Sequence, residues 1–253
     1  MKQNLILWIA AIIITFLAGY INSLASEDYP VSGTIGIRGQ KVSYIFYKRY
    51  SSKNPYNVIV RSDAENISGV VEWRKAGSDS FKTIQMRSEG TNLHATFPEF
   101  QPLTIIEYRI KISDGDKIYT LPSETPVHLK FYGFVPASIS VLYFISLFGG
   151  LLLSIRTGLE FFREQSRIGL FSIITLIFFF VYTLAIHPIK TTFELNILNR
   201  RVPFITELFD LQSVIFLLVW IAGMIISFKA AKPKLSLMII SVITLLVYLF
   251  VHV

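Results

Sequence analysis

Ile168-Gly-Leu-Phe-Ser-Ile-Ile-Thr-Leu-Ile-Phe-Phe-Phe-Val-Tyr-Thr-Leu-Ala-Ile186 contains no Lys, Arg, Asp or Glu. A helix of roughly 17–25 such residues crosses the hydrocarbon core of a bilayer. Four other runs share this character: Leu5–Leu24, Phe134–Ile155, Leu211–Phe228 and Leu235–Val251. Between the first and second lies a long polar block, Ser26–Lys130, with a different periodicity. The chain therefore reads as an apolar segment, a water-exposed domain and a compact membrane unit.

The composition agrees. Of 253 residues, 52% are apolar and only 16% charged, against about 25% charged in an ordinary soluble domain. Mean hydropathy is +0.53, which excludes a purely soluble protein. The absence of Cys excludes disulfides, Fe–S clusters, thiol catalysis and thiolate zinc sites. Most of the formal charge of +7 comes from the segments next to the apolar runs. Ser26–Lys130 itself is nearly balanced and has no basic patch for phosphates, so no nucleic-acid partner is expected.

Orientation follows from positive charge in short loops. Lys2, Arg156, Arg163, Arg167, Lys229, Lys232 and Lys234 fall on one side of a five-span arrangement. Lys190, Arg200 and Arg201 fall on the other, offset by Glu194, Glu207 and Asp210. The first side, with loops 156–167 and 229–234, is assigned to the cytoplasm. The polar block and the C-terminal residue are placed outside, on a cell membrane of bacterial inner-membrane type. The expected organisation is 1–25 an N-terminal anchor or signal peptide, 26–130 an extracytoplasmic β-sandwich, and 131–253 a four-helix transmembrane domain. Lys2, an apolar stretch and Ser23-Leu24-Ala25 fit a cleaved signal, while the length of the stretch fits a retained anchor. Both readings stand.

Within the polar block, period-2 alternation between turn residues argues for strands. Val42–Tyr47, Tyr56–Val60, Gly69–Lys75, Phe81–Met86, Leu93–Phe97, Ile105–Ile112 and Lys117–Leu121 make about seven, the pattern of a β-sandwich. Val71 and Trp73 alternate with Glu72 and Arg74, which predicts Trp73 in the core.

Trp73 and the stretch Pro102-Leu-Thr-Ile-Ile-Glu-Tyr108-Arg-Ile-Lys-Ile112 resemble the core Trp and the corner Tyr of immunoglobulin-like and fibronectin type III sandwiches. Thr104 and Tyr108 stand two residues further apart than in the usual motif. The resemblance implies an Ig/FnIII-like fold and a binding or spacing role. It also implies that loops holding Asp63, Glu65, Asp114 and Asp116 converge at one pole, where four carboxylates could hold Ca²⁺. Asp-Gly and Asp-Ala-Glu-Asn are equally ordinary turn chemistry.

In the membrane half, Ser146, Gly150 and Ser154 recur every fourth residue, which suits close helix packing or contact with another subunit. His187 and His252 end two apolar runs at one expected depth and could ligate haem or a metal. Pro188 is expected to push His187 out of helical geometry. In the loop Pro188–Asp210, Arg200, Arg201 and Glu207 are candidate partner contacts, and Asp210 fits an N-cap. There is no phosphate loop, His-Glu-x-x-His or Gly-x-Ser-x-Gly, and no cofactor is expected. The leading expectation is a non-enzymatic membrane protein whose exported sandwich binds or positions a protein partner, as an accessory subunit or scaffold of a cell-envelope complex. The alternatives are a membrane redox or metal enzyme using His187 and His252, and a sensor or transporter-associated component.

Overall fold

The computed structural model describes residues 2–51, 53–63, 67–164, 167–197 and 204–251. The chain is α+β and divides into two compact units. One holds Met1–Ser26, Val135–Phe193 and Ile197–Val253; the other holds Glu27–Phe134 with the short segment Glu194–Asn196.

The second unit contains eleven strands among its described residues: β1 (Val31–Ile37), β2 (Gln40–Phe46), β3 (Arg49–Ser51), β4 (Asn57–Ser62), β5 (Ser68–Lys75), β6 (Lys82–Gln85), β7 (Arg87–Glu89), β8 (Asn92–Thr96), β9 (Ile105–Ser113), β10 (Ile118–Leu121) and β11 (Val127–Tyr132). They form two sheets, ordered β1-β2-β4-β8-β7 and β3-β11-β9-β5-β6, with β10 also paired to β9. Alternation places one face of each sheet in a shared core. Val58 and Val60 of β4 meet Val71 and Trp73 of β5, and Ile106, Tyr108, Ile110 and Ile112 of β9. Trp73 is 6% exposed and packs edge-on against Phe97 and Phe100. The Tyr108 hydroxyl lies in the core, 3.4 Å from that of Tyr56.

Four strands exceed the sequence expectation: β1, β3, β7 and β11. In β11, Val127, Leu129 and Phe131 are buried between exposed or half-buried His128, Lys130 and Tyr132, a plain period of two. In β1 the inward positions include Gly33, which has no side chain to reveal the period. The glycine leaves room for the Tyr44 side chain, because a Cβ there would lie 2.5 Å from the Tyr44 hydroxyl unless that ring moved.

The first unit contains α1 (Lys2–Ala25), α2 (Ala137–Leu159), α3 (Ile168–Val181), α4 (His187–Glu194, whose last residue groups with the sheets), α5 (Ile205–Leu208), α6 (Leu211–Lys229) and α7 (Pro233–Phe250). Five helical stretches are long and apolar enough to cross a membrane: Lys2–Ala25, Ala137–Phe162, Ile168–Glu194, Leu211–Lys229 and Pro233–Phe250. The expected unit of four helices thus includes α1 as a fifth. Ala11 and Ala18 of α1 are buried, and its Gly19 lies against Phe148 of α2.

Small residues on α2 face their neighbours inside the unit. A Cβ on Gly149 would sit 2.4 Å from the Phe178 ring and one on Gly150 3.0 Å from the Phe179 ring. Ser146 and Ser154 are buried alongside. This face is occupied by α3, where the sequence left internal packing and a second subunit as alternatives. Gly223 of α6 receives Ile240 of α7 in the same way.

Candidate functional site

Two polar clusters lie inside the helical unit, one towards each end of its helices. The first is built on the break after α3. Tyr182–Ile186 form a single π-helical turn that leads directly into α4. Such wide turns relax the i→i−4 ladder and recur at functional positions. Here the turn contains Leu184, the residue whose carbonyl the ring of Pro188 would otherwise strike. His187 consequently keeps helical dihedrals, φ −61° and ψ −50°. The sequence expectation that Pro188 displaces it is corrected: the wide turn upstream absorbs the conflict.

His187 is 8% exposed. Its Nε2 lies 2.8 Å from Asp210 Oδ2 and its Nδ1 3.2 Å from the Leu208 carbonyl. The other oxygen of Asp210 accepts from the Ser213 N–H at 2.6 Å, so this carboxylate caps α6 while it holds the imidazole. The Tyr143 and Tyr182 hydroxyls meet at 3.2 Å, both rings pack near His187, and Lys190 Nζ lies 4.5 Å over the Tyr143 ring. The Thr183 hydroxyl donates to the Ser213 carbonyl at 2.8 Å. Both ring nitrogens of His187 face oxygen acceptors, so a metal or haem iron would have to displace one of them. His252, the second imidazole of that expectation, lies outside the described residues.

The second cluster was missed by sequence reading, which ended the apolar run at Ile155 and put Arg156 in a loop. The helix continues to Leu159 and then tightens into a 3₁₀ turn, Glu160–Phe162. Arg156 and Glu160 are both fully buried. Arg156 Nη1 lies 2.6 Å from Glu160 Oε1, and Nη2 donates to Asn4 of α1 at 2.6 Å. The guanidinium lies over the rings of Trp8 and Phe171. Arg163 and the Arg167 N–H complete the shell of Glu160, and Lys234 donates to the Arg163 carbonyl. The available signal was an opposite-charge pair four residues apart beside Gly158, on a helix with no stop signal before it.

Of the four carboxylates proposed for Ca²⁺, Glu65 lies outside the described residues. Ser68 of β5 pairs with Ser113 of β9, so the segments after Ser62 and Ser113 do leave the sheets at one end. The polar atoms of Asp114 are already engaged. Its Oδ1 accepts from the N–H groups of Asp116 and Lys117, its Oδ2 lies by the Tyr119 hydroxyl, and Arg38 approaches both Asp114 and Asp116 at 3.7 Å. A guanidinium stands where a cation was expected, and the Asp63 N–H donates to the Lys41 carbonyl of β2 at 3.2 Å. Among the described residues no three His, Asp or Glu form a metal-holding cluster. Arg200 and Arg201 lie outside the described residues; Glu207 accepts from the Phe204 N–H at 3.1 Å and closes the first turn of α5.

The outer faces of the two sheets differ. On the β5–β9 face, Arg74 pairs with Glu107, and Arg109 and Lys111 both pair with Glu72; Phe81 lies under Arg74 and Arg109. The Lys111 ammonium, with Arg109, holds the Glu72 carboxyl below its usual range. On the β2–β4 face a shallow depression of about 240 Å³ is lined by Ser43, Ile45, Tyr47, Asn57, Ile59 and Arg61. Ile45 is 56% and Ile59 45% exposed.

No family model matches the chain, and no curated protein matches it. Among solved structures it is similar to one described as "Crystal structure of Br derivative BhCBM56", at 10% identity and a TM-score of 0.26, covering 42% of this chain and 95% of that one.

Proposed function

We propose that the protein is a non-enzymatic membrane scaffold whose two-sheet unit is displayed outside the cell membrane and captures a protein partner on its β2–β4 face. The observation that carries this reading is the exposed apolar surface of Ile45, Tyr47 and Ile59 beside Arg61. Large aromatic and aliphatic groups next to an Arg are the composition of a protein-contact patch. In the helical unit, by contrast, His187 and Asp210 tie α4 to α6, and Arg156 ties α2 to Asn4 of α1, which suits an anchor better than a reaction centre.

An Ig/FnIII-like topology is part of the proposal. The strand orders β2-β4-β8 and β11-β9-β5-β6 follow the two sheets of that fold, with Trp73 on the strand where its core Trp belongs. The hydroxyl contact of Tyr108 with Tyr56 departs from the usual corner, in which the Tyr bonds to backbone. Outward display is supported by Arg163 and Lys234 meeting at the end of the helical unit where α1 begins. Retention of α1 as an anchor is supported by the Asn4 and Trp8 contacts to Arg156.

A photo-crosslinking residue in place of Ile59, in cells, tests the capture surface. A discrete adduct to a second protein, absent when the same residue replaces Ser80 in the β5–β6 turn, is expected. No adduct at Ile45, Tyr47 or Ile59 would remove this face from the proposal.

A further inference from the structure

The open edges of the two sheets are unequal. Edge strands that are short or charged resist pairing with other chains. β7 has three residues and carries Arg87 and Glu89; β3 has three with Arg49; β6 has four with Lys82. β1 is also an edge, yet it runs seven residues, Val31-Ser-Gly-Thr-Ile-Gly-Ile37, without a charge or a proline.

The register shows what this edge offers. Arg38 and Gly39 form a two-residue turn with φ of 51° and 78°, as hairpins of matching twist require. Ile37 pairs with Gln40, Ile35 with Val42 and Gly33 with Tyr44. The Lys41 carbonyl accepts from the Asp63 N–H, beyond β4, so the main chain of Lys41 faces β4 while Gln40 and Val42 face β1. Hydrogen-bonded positions alternate along an antiparallel ladder. Val31, Gly33, Ile35 and Ile37 therefore bond to β2, and the N–H and C=O groups of Ser32, Thr34 and Gly36 point out of the sheet edge. All three residues are exposed, and a Cβ on Gly36 would meet nothing within 4 Å.

We propose that β1 is a self-association edge, at which two copies of this chain pair antiparallel about a two-fold axis at Thr34. Thr34 then faces Thr34 of the second copy, Ser32 faces Gly36, and two five-stranded sheets become one of ten strands. Charge selects this direction. Exposed Glu27 precedes the strand and exposed Lys41 follows its turn, whereas Asp28 is already paired with Arg49, and Arg38 with Asp114 and Asp116. A two-fold at Thr34 sets Glu27 of each copy level with Lys41 of the other, whereas parallel pairing sets like charge beside like. The register needs no sequence but its own, which favours a second copy over a foreign strand. This inference stands independently of the β2–β4 capture face.

The test uses the full chain, whose lack of native Cys leaves Thr34→Cys with a single thiol. Paired Cα atoms about 5.5 Å apart fall within disulfide reach, so mild oxidation in membranes should give a covalent dimer well ahead of Ser80→Cys. Thr34→Pro removes one outward N–H and none that bonds to β2. The wild-type mass in mild detergent should be that of two copies, and that of Thr34→Pro should fall to one. A monomeric wild type, a dimer that survives Thr34→Pro, or Thr34→Cys oxidation no faster than the Ser80→Cys control would each overturn the proposal.

Discussion

Arg156 and Glu160 stand one helical turn apart, 2.6 Å from Nη1 to Oε1, and neither side chain reaches solvent. A buried ion pair adds little net stability over an apolar pair of the same shape, but losing one member leaves an uncompensated charge and costs about 3–5 kcal/mol. Glu160→Ala should therefore lower the melting temperature of the detergent-solubilised protein sharply, and Arg156→Met combined with Glu160→Leu should recover much of the loss. Equal melts for wild type and Glu160→Ala would remove the pair from the structural framework.

His187 is tied to Leu208 and Asp210, a structural link between α4 and the cap of α6. Purified protein from haem-supplied cells should show no Soret band and no stoichiometric metal. His187→Ala should destabilise the helical unit by about 1–3 kcal/mol, because it leaves the half-buried Asp210 short of a donor. A Soret band lost with His187→Ala would restore the haem reading.

Trp73 fills the space between the sheets beside Phe97 and Phe100. Trp73→Ala should cost about 3–5 kcal/mol, a large part of a typical domain's roughly 5–15 kcal/mol. Limited proteolysis of membranes should then cleave between Ser26 and Lys130 at protease levels that wild type resists. Unchanged resistance would place Trp73 outside the core.

Acid should loosen the two-sheet unit. The Lys111 ammonium lowers the Glu72 carboxyl, and the Lys117 N–H leads the groups that lower Asp114. A carboxyl depressed by folding contributes stability that is complete above its unfolded value, about 4, and is lost as pH falls through its folded value. Glu72→Gln should therefore melt below wild type at pH 7, with the gap closing below about pH 4. A gap that widens with acid would contradict the ion-pair assignment.

Much of this architecture is readable from local pattern. The apolar runs are long and free of charge, and Val71-Glu72-Trp73-Arg74 already shows which side of β5 faces inward. What escaped reading depends on distance or on missing side chains. Gly33 hides the period of β1. Asp210 reaches His187 from 23 residues away, which no spacing rule connects. Arg156 looks like a loop residue because a charge ends an apolar run, although Glu160 one turn later neutralises it inside the protein. The carboxylates after β9 look like a cation site because Arg38, which approaches them, comes from a distant hairpin.

Thiol accessibility tests most directly whether the two-sheet unit is displayed outside on a five-span anchor. With no native Cys, Ser80→Cys in the β5–β6 turn and Ala231→Cys in the turn between α6 and α7 each report one side of the membrane. In intact cells an impermeant maleimide should label Ser80→Cys and should label Ala231→Cys only after lysis. Labelling of Ala231→Cys in intact cells, with Ser80→Cys protected until lysis, would contradict outward display.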